Sequence, residues 1–223
     1  LLLKENEKIN WYPEHIKTGR FGEWLKNNVD WAISRERYWG TPLPIWICKK
    51  CKHEICIDSI KNLTKQASEA ANYKDLDLHR PYIDNISLTC PKCNDVMIRT
   101  PEVLDAWYDS GAMPFAQHNI TSDLELKNLQ NSSSFPADYI CEAIDQTRGW
   151  FYTLHALSIM LTGSTSFKNV ICLGHILDEK GQKMSKHIGN VVNPWSILDN
   201  QGADALRWYL LTANQPGEPR RFS

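Results

Sequence analysis

DQTRGWFYTLHALSIMLTG, residues 145–163, and NVICLG, residues 169–174, decide the fold. In the first, Trp150, Leu154, Leu157 and Leu161 recur at a helical period, with Asp145 placed to cap the start and Gly163 to stop the end. In the second, Val170 to Leu173 form an uninterrupted apolar run, the kind of strand that a parallel sheet buries on both faces. Upstream, ADYICEA (137–143) reads as another short strand. Strand, helix and strand in that order predict a right-handed crossover unit and an α/β class. Ligands of such sheets bind beyond the C-terminal ends of the strands.

The flanks are read the same way. HIKTGRFGEWLKNNVDW (15–31) carries Phe21, Leu25 and Val29 four apart and predicts an amphipathic helix. WAISRERYWG alternates as a strand and runs into a stretch kept extended by Pro42 and Pro44. VLDAWYDSG (103–111) predicts a short strand, and HNITSDLELKNLQNSSSF a helix plus loop. Near the end, Asn193 caps a helix with Pro194 at its first position and a stop near Gly202, followed by a second helix bearing Leu206, Tyr209 and Leu210.

A net charge of −1, with 23% charged and 42% hydrophobic residues, argues against a protein that coats nucleic acid. The longest apolar stretch, residues 150–161, is too short and too polar to span a bilayer. No signal or transit segment is read at the N-terminus. The chain opens LLLKENEK without methionine and closes EPRRFS, which suggests a piece of something longer.

Seven cysteines cannot all pair internally. Cys48 with Cys51 and Cys90 with Cys93 form two CxxC pairs separated by 38 residues, the pattern of a tetrahedral thiolate site. Zinc is the expected ion, and a closed set of four ligands would be structural. His53 or Cys56 could replace one cysteine. Residues 48–100 hold few large apolar side chains, so a metal would supply what the core lacks. Lys49, Lys50, Lys52 and Lys92 add charge there. No aromatic lies between Cys48 and Tyr73, which counts against a non-enzymatic zinc-ribbon module that binds nucleic acid.

GHILDEKGQKMSKHIGNVV (174–192) follows the NVICLG strand directly. It places Lys183 and Lys186 between Gly181 and Gly189, at the strand end where a ligand belongs. Two mobile cations there suit a phosphate chain, and glycines let the loop close and reopen.

KMSKH (183–187) resembles the KMSKS signature of the class I aminoacyl-tRNA synthetases. WAISRERYWGTPLPIW (31–46), VLDAWYDSGAMPFAQ (103–117), EAIDQTRGWFYTL (142–154) and GADALRWYLL (202–211) are each similar to the isoleucyl-tRNA synthetase family, in the same order. Valyl- and leucyl-tRNA synthetases share the architecture and are the near alternatives. The resemblance implies part of a Rossmann-like parallel-sheet nucleotide-binding domain with a small zinc-ribbon-like insertion and a helical C-terminal segment. Its implied segments are 1–46, a catalytic-domain segment after an editing insertion; 47–100, the zinc-binding insertion; 101–188, the second half of the catalytic domain; and 189–223, the start of a stem-contact region.

The implied activity is ATP-dependent activation of L-isoleucine and its transfer to tRNA(Ile), by a cytoplasmic monomer without membrane contact. ATP comes with Mg2+, and Zn2+ is structural. By the same resemblance, Lys183 and Lys186 are catalytic, with Lys186 also contacting ATP, and Glu142, Asp145 and Gln146 hold the aminoacyl-adenylate. Trp107 and Trp150 wall the isoleucine side-chain pocket. On pattern alone, Trp150 also fits a helical core stripe and Asp145 a helix cap, while a buried Glu142 would need a partner. His155 and His175 read as structural. His187 stands where the signature ends in serine, and Ala143 where relatives carry glycine. No HIGH-like tetrapeptide occurs, the editing insertion is missing, and the chain alone is expected to be inactive.

Overall fold

The computed structural model describes residues 1–67 and 76–223, so part of the expected insertion, including Tyr73, lies outside the described residues. In chain order the elements begin with α1 (Leu2–Asn6), β1 (Asn10–Tyr12), α2 (Gly22–Lys26), β2 (Ser34–Arg35), β3 (Ile45–Cys48), β4 (Glu54–Cys56) and α3 (Ile60–Gln66). Next come β5 (Leu88–Thr89), β6 (Val96–Arg99), β7 (Val103–Leu104), α4 (Ala106–Ala116), α5 (Asp123–Gln130) and β8 (Ala137–Ala143). The last are α6 (Trp150–Thr162), β9 (Phe167–Leu173), β10 (Ile176–Leu177), α7 (Pro194–Gln201), α8 (Ala203–Thr212) and β11 (Arg220–Arg221). Two compact units emerge, one of Leu1–Asn28 with Leu126–Ser223, the other of Val29–Glu125.

The first unit is built on a parallel sheet of order β1-β9-β8. The expected strand–helix–strand unit is present: β8 and β9 run side by side, Glu142 opposite Cys172, with α6 between them in sequence. Helix α6 ends at Gly163, whose φ of 75° is the left-handed conformation that glycine adopts without penalty. Its start differs from expectation. Residues Ile144–Arg148 form a 3-10 turn and Gly149 is the N-cap, so Asp145 lies too early to cap. The capping oxygen comes from Gln146, whose Oε1 accepts the Trp150 amide at 2.9 Å. Burial also exceeds one stripe: Phe151 to Ile159 are all buried, while Leu161 is 53% exposed.

Trp11, Phe21 and Phe151 interlock in this core, Trp11 lying 4.7 Å from Phe21 and edge-on to Phe151 at 5.7 Å. His155 is fully buried, as a structural histidine should be. Its Nε2 donates to the Leu2 carbonyl at 2.9 Å, leaving Nδ1 to accept from the Thr165 hydroxyl at 3.2 Å. The expected helix over 15–31 is shorter. A wide π turn at Lys17–Phe21 leads into α2, Phe21 and Leu25 are buried, and Val29 lies beyond the helix, 63% exposed. Helices α7 and α8 form as read, with Asn193 Oδ1 accepting the Trp195 amide at 3.0 Å.

The second unit centres on an antiparallel sheet of order β4-β3-β6-β5. Trp46 is its largest buried side chain, and its Nε1 donates to the Ile86 carbonyl at 2.8 Å. This unit is wider than the expected 47–100 because β2 pairs with β7, Ser34 opposite Leu104, tying both flanks into it. Residues 103–111 are mostly not a strand. After β7, Asp105 Oδ1 accepts the Trp107 amide at 3.0 Å and turns the chain into α4. Of WAISRERYWG only Ser34–Arg35 is extended and paired.

Candidate functional site

Because β8 and β9 are parallel, their C-terminal ends lie together, and both candidate stretches start there. Glu142, the penultimate residue of β8, is exposed, so it has no burial to compensate. Asp145 is exposed, and Gln146 Nε2 donates to its Oδ2 at 3.2 Å. Trp150, half-buried, opens α6. The first unit thus gathers Glu142, Asp145, Gln146 and Trp150 within one strand–turn–helix passage. Trp107 belongs to the second unit, where it is 43% exposed at the start of α4. A cavity of about 890 Å³ in the first unit is lined by Tyr12, Glu14, His15, Ile144 and Gly217 among others.

The lysine loop leaves β9 through β10, which pairs with β11. Gly181 and Gly189 have φ of 79° and 74°, so both glycines are demanded by left-handed turns rather than by mobility alone. Lys183 bridges back to Leu177 and is exposed, as is Lys186. Neither Nζ forms an ion pair or hydrogen bond among the described residues. Two residues outside the expected site organise the loop. Asp178 Oδ1 accepts the amides of Lys180 at 3.0 Å and Gln182 at 2.7 Å, and its Oδ2 accepts Asn190 Nδ2 at 2.8 Å. Asn190 Oδ1 in turn accepts the Ser185 amide at 2.8 Å. The Asn190 amide, then the Gln182 amide, hold the Asp178 carboxyl below the usual carboxylate range. The readable signal was an Asp three residues before one turn glycine, Gly181, and an Asn directly after the other, Gly189.

Segment 214–221 presses onto the same region. Gly174 donates its amide to the Pro216 carbonyl at 2.9 Å, and a Cβ on Gly174 would sit 2.4 Å from the Glu218 backbone. A Cβ on Gly217 would meet Pro13 at 2.2 Å. The His175 carbonyl accepts the Arg220 amide at 2.8 Å, a structural role.

In the second unit the four expected cysteines converge. Their sulfurs all lie within 4.8 Å of one another, with Cys48–Cys93 at 3.4 Å and Cys51–Cys90 at 3.6 Å. Sulfurs bound to one zinc at ~2.3 Å stand roughly 3.8 Å apart in a tetrahedron, so the cage fits that ion. Each knuckle closes on a left-handed residue, Lys52 after the first pair and Asn94 after the second. Cys56 is exposed on β4 and His53 only offers its carbonyl to the Cys48 amide, so neither joins the cluster. Burial opposes ionisation of Cys48, but hydrogen bonds led by the Cys51 amide bring it down to about 6. The Asp95 amide favours the Cys93 thiolate, yet burial and the sulfurs of Cys48, Cys51 and Cys90 push it up to about 12. A cation among the four would displace that last proton.

A family described as "tRNA synthetases class I (I, L, M and V)" matches residues 1–221. The chain belongs to this family. It is 56% identical over 222 residues to an isoleucine--tRNA ligase of Dehalococcoides mccartyi (strain CBDB1), covering 100% of this chain and 22% of that relative. The isoleucine--tRNA ligases of Thermus thermophilus and Clostridium acetobutylicum are 56% and 54% identical, over 99% and 100% of this chain and 21% of each relative. The chain therefore spans about a fifth of the length of the curated relatives it matches. Among solved structures, the ternary complex of an Agrobacterium radiobacter LeuRS with tRNA and LeuAMS aligns with a TM-score of 0.61. It is 23% identical, over 93% of this chain and 28% of that one, a likeness of fold. The class is α/β, with a parallel sheet and a cysteine cluster able to hold a metal. No helix among the described residues is long and apolar enough to cross a membrane.

Proposed function

We propose that this chain is a late part of the catalytic domain of an isoleucine–tRNA ligase, working in the cytoplasm as a monomer on MgATP, L-isoleucine and tRNA(Ile). The observation that carries the reading is identity of 52–56% along essentially the whole chain to relatives named isoleucine--tRNA ligase. In the activation step the isoleucine carboxylate attacks the α-phosphate of ATP and pyrophosphate leaves. Lys183 and Lys186, two exposed ammonium groups on a loop at the strand ends, answer the charge that builds on the phosphates. Glu142 receives the amino group of isoleucine, and Asp145 and Gln146 hold ribose hydroxyls. Trp150 flanks the aliphatic side chain. No protein nucleophile is called for: position and charge do the chemistry. Four thiolates without an open position suit a structural zinc at Cys48, Cys51, Cys90 and Cys93.

The test is ATP–pyrophosphate exchange by a polypeptide of the relatives' full length that carries this chain, with isoleucine, valine and leucine offered separately. Exchange is expected to be fastest with isoleucine and to fall ~10²-fold in Lys186→Ala. A stronger response to valine or leucine would change the substrate and keep the mechanism. The 223-residue chain by itself, which contains no HIGH-like tetrapeptide, is expected to give no exchange above background.

A further inference from the structure

We infer that Asp178 and Asn190 form a clamp that positions Lys183 and Lys186 for phosphate chemistry, and that they are positioning residues of this site. The inference rests on the phosphate role proposed above for the two lysines. Apart from the Leu177–Lys183 bridge, the Asp178 amide on the Gln182 carbonyl at 2.9 Å and a turn at Ser185, the loop has little to hold it. Lys183, Lys186, His187, Ile188 and Gly189 are all exposed, so apolar burial contributes almost nothing to its shape. Order comes instead from a short chain of hydrogen bonds. Asp178 fixes the turn just before Lys183 through the amides of Lys180 and Gln182. Its second oxygen holds the amide group of Asn190 at 2.8 Å across twelve residues of sequence. Asn190 grips the backbone on both sides of Met184, accepting from the Ser185 amide at 2.8 Å and donating to the Lys183 carbonyl at 3.3 Å. The stretch between the two lysines is thereby tied to the root of the loop.

The chemistry of the pair is directional. Asp178 offers only acceptors and Asn190 offers both a donor and an acceptor, and every oxygen named is used. A single Asp178→Asn change sets two amide NH2 groups, or an NH2 and backbone amides, against each other. A single Asn190→Asp change sets two carboxylates together. The exchanged pair Asp178→Asn with Asn190→Asp restores the complement. Asn at 178 still accepts both backbone amides and donates to Asp at 190, which accepts from Ser185. Of the contacts described, only the 3.3 Å bond to the Lys183 carbonyl is lost.

The experiment compares Asp178→Asn, Asn190→Asp, the exchanged pair and Lys186→Ala in the full-length polypeptide carrying this chain. ATP–pyrophosphate exchange is read alongside single-turnover transfer of isoleucine from preformed adenylate to tRNA. Each single clamp variant is expected to lower kcat for exchange at least ~10-fold, leaving KM for isoleucine and the transfer step unchanged. The exchanged pair is expected to recover to within roughly threefold of the parent, a coupling typical of directly bonded neighbours. Full exchange in both single variants, beside a crippled Lys186→Ala, would overturn the clamp and leave the phosphate reading intact. Unimpaired Lys186→Ala would overturn both. Single variants that slow exchange and transfer alike, or an exchanged pair no better than either, would mean general damage to the fold and would also overturn the clamp.

Discussion

Helix α6 buries nine successive residues, Phe151 to Ile159, whereas among the described residues the heart of the second unit holds nine buried side chains of which two, Cys48 and Cys90, belong to the thiolate cluster. The first unit closes its core with aromatic and aliphatic surface around a parallel sheet. The second centres on a four-stranded antiparallel sheet of short strands, with a core in which cysteines able to hold a metal take the place of hydrocarbon. The contrast sets side by side two answers to the same deficit of conformational entropy: bury enough apolar area, or gather four thiols that could hold a metal. The candidate phosphate loop belongs to the first unit and the cysteine cluster to the second.

Removing the metal should break the comparison most. Structural zinc contributes on the order of 10 kcal/mol to small domains at neutral pH. After chelation, hydrogen exchange should lose its protection over residues 45–48 and 96–99 while residues 151–159 and 167–173 stay protected; equal loss in both regions would refute independent cores. Phe151→Ala should do the reverse, destabilising the first unit by ~3–5 kcal/mol in denaturant titration without changing metal content. A smaller cost, about 3 kcal/mol, is expected in the second unit from Asp84→Ala. That carboxylate pairs with Arg80 at 2.8 Å and with Arg99, whose side chain is wholly buried and would be left without its counter-charge.

The smallest effect is in pH. Burial lowers the His155 pKa below its ordinary 6.5, so the unfolded chain binds a proton that the folded chain refuses. Stability of the first unit should therefore be full above pH 6.5 and decline as pH falls below it, by at most ~1.4 kcal/mol per unit. Asp84 behaves oppositely in range: although burial opposes ionisation, Arg80 and Arg99 hold its folded pKa below 3.8, so its contribution persists until about pH 4 and is lost under stronger acid. Thermal melts from pH 7.5 to 3 would test the pair, and a first unit indifferent between pH 7.5 and 5 would contradict a neutral, buried His155.

Much of this was legible in the residues because the signals were local. β8, β9, α6, α7 and α8 have caps, stops or uninterrupted apolar runs that leave few choices. The four cysteines were legible for the same reason, since two residues between ligands fix a turn. Misreadings occurred where a short polar signal competed with an apolar run. Asp105 looked like part of a strand in VLDAWYDSG, and only the structure shows it capping α4. Asp145 looked like a cap because the turn Ile144–Arg148, which carries Gln146 into that role, has no distinctive spacing. Val29 matched the helical period one turn after the helix had ended. The Asp178–Asn190 pair was invisible to periodicity because its members are twelve residues apart and meet only through the turns between them.

Gly174 and Gly217 lead to a caution about reading tolerance to substitution. Neither carries a functional group, yet a methyl at Gly174 would strike the Glu218 backbone and one at Gly217 would strike the Pro13 ring. A saturation screen for growth would score both as unforgiving, on a par with Lys186, and alanine would fail at them as surely as tryptophan. Lys186 should instead show a graded response, with arginine outperforming leucine. The profile of substitutions at a position, rather than its overall intolerance, is what separates a place where backbones touch from a place where phosphate is bound.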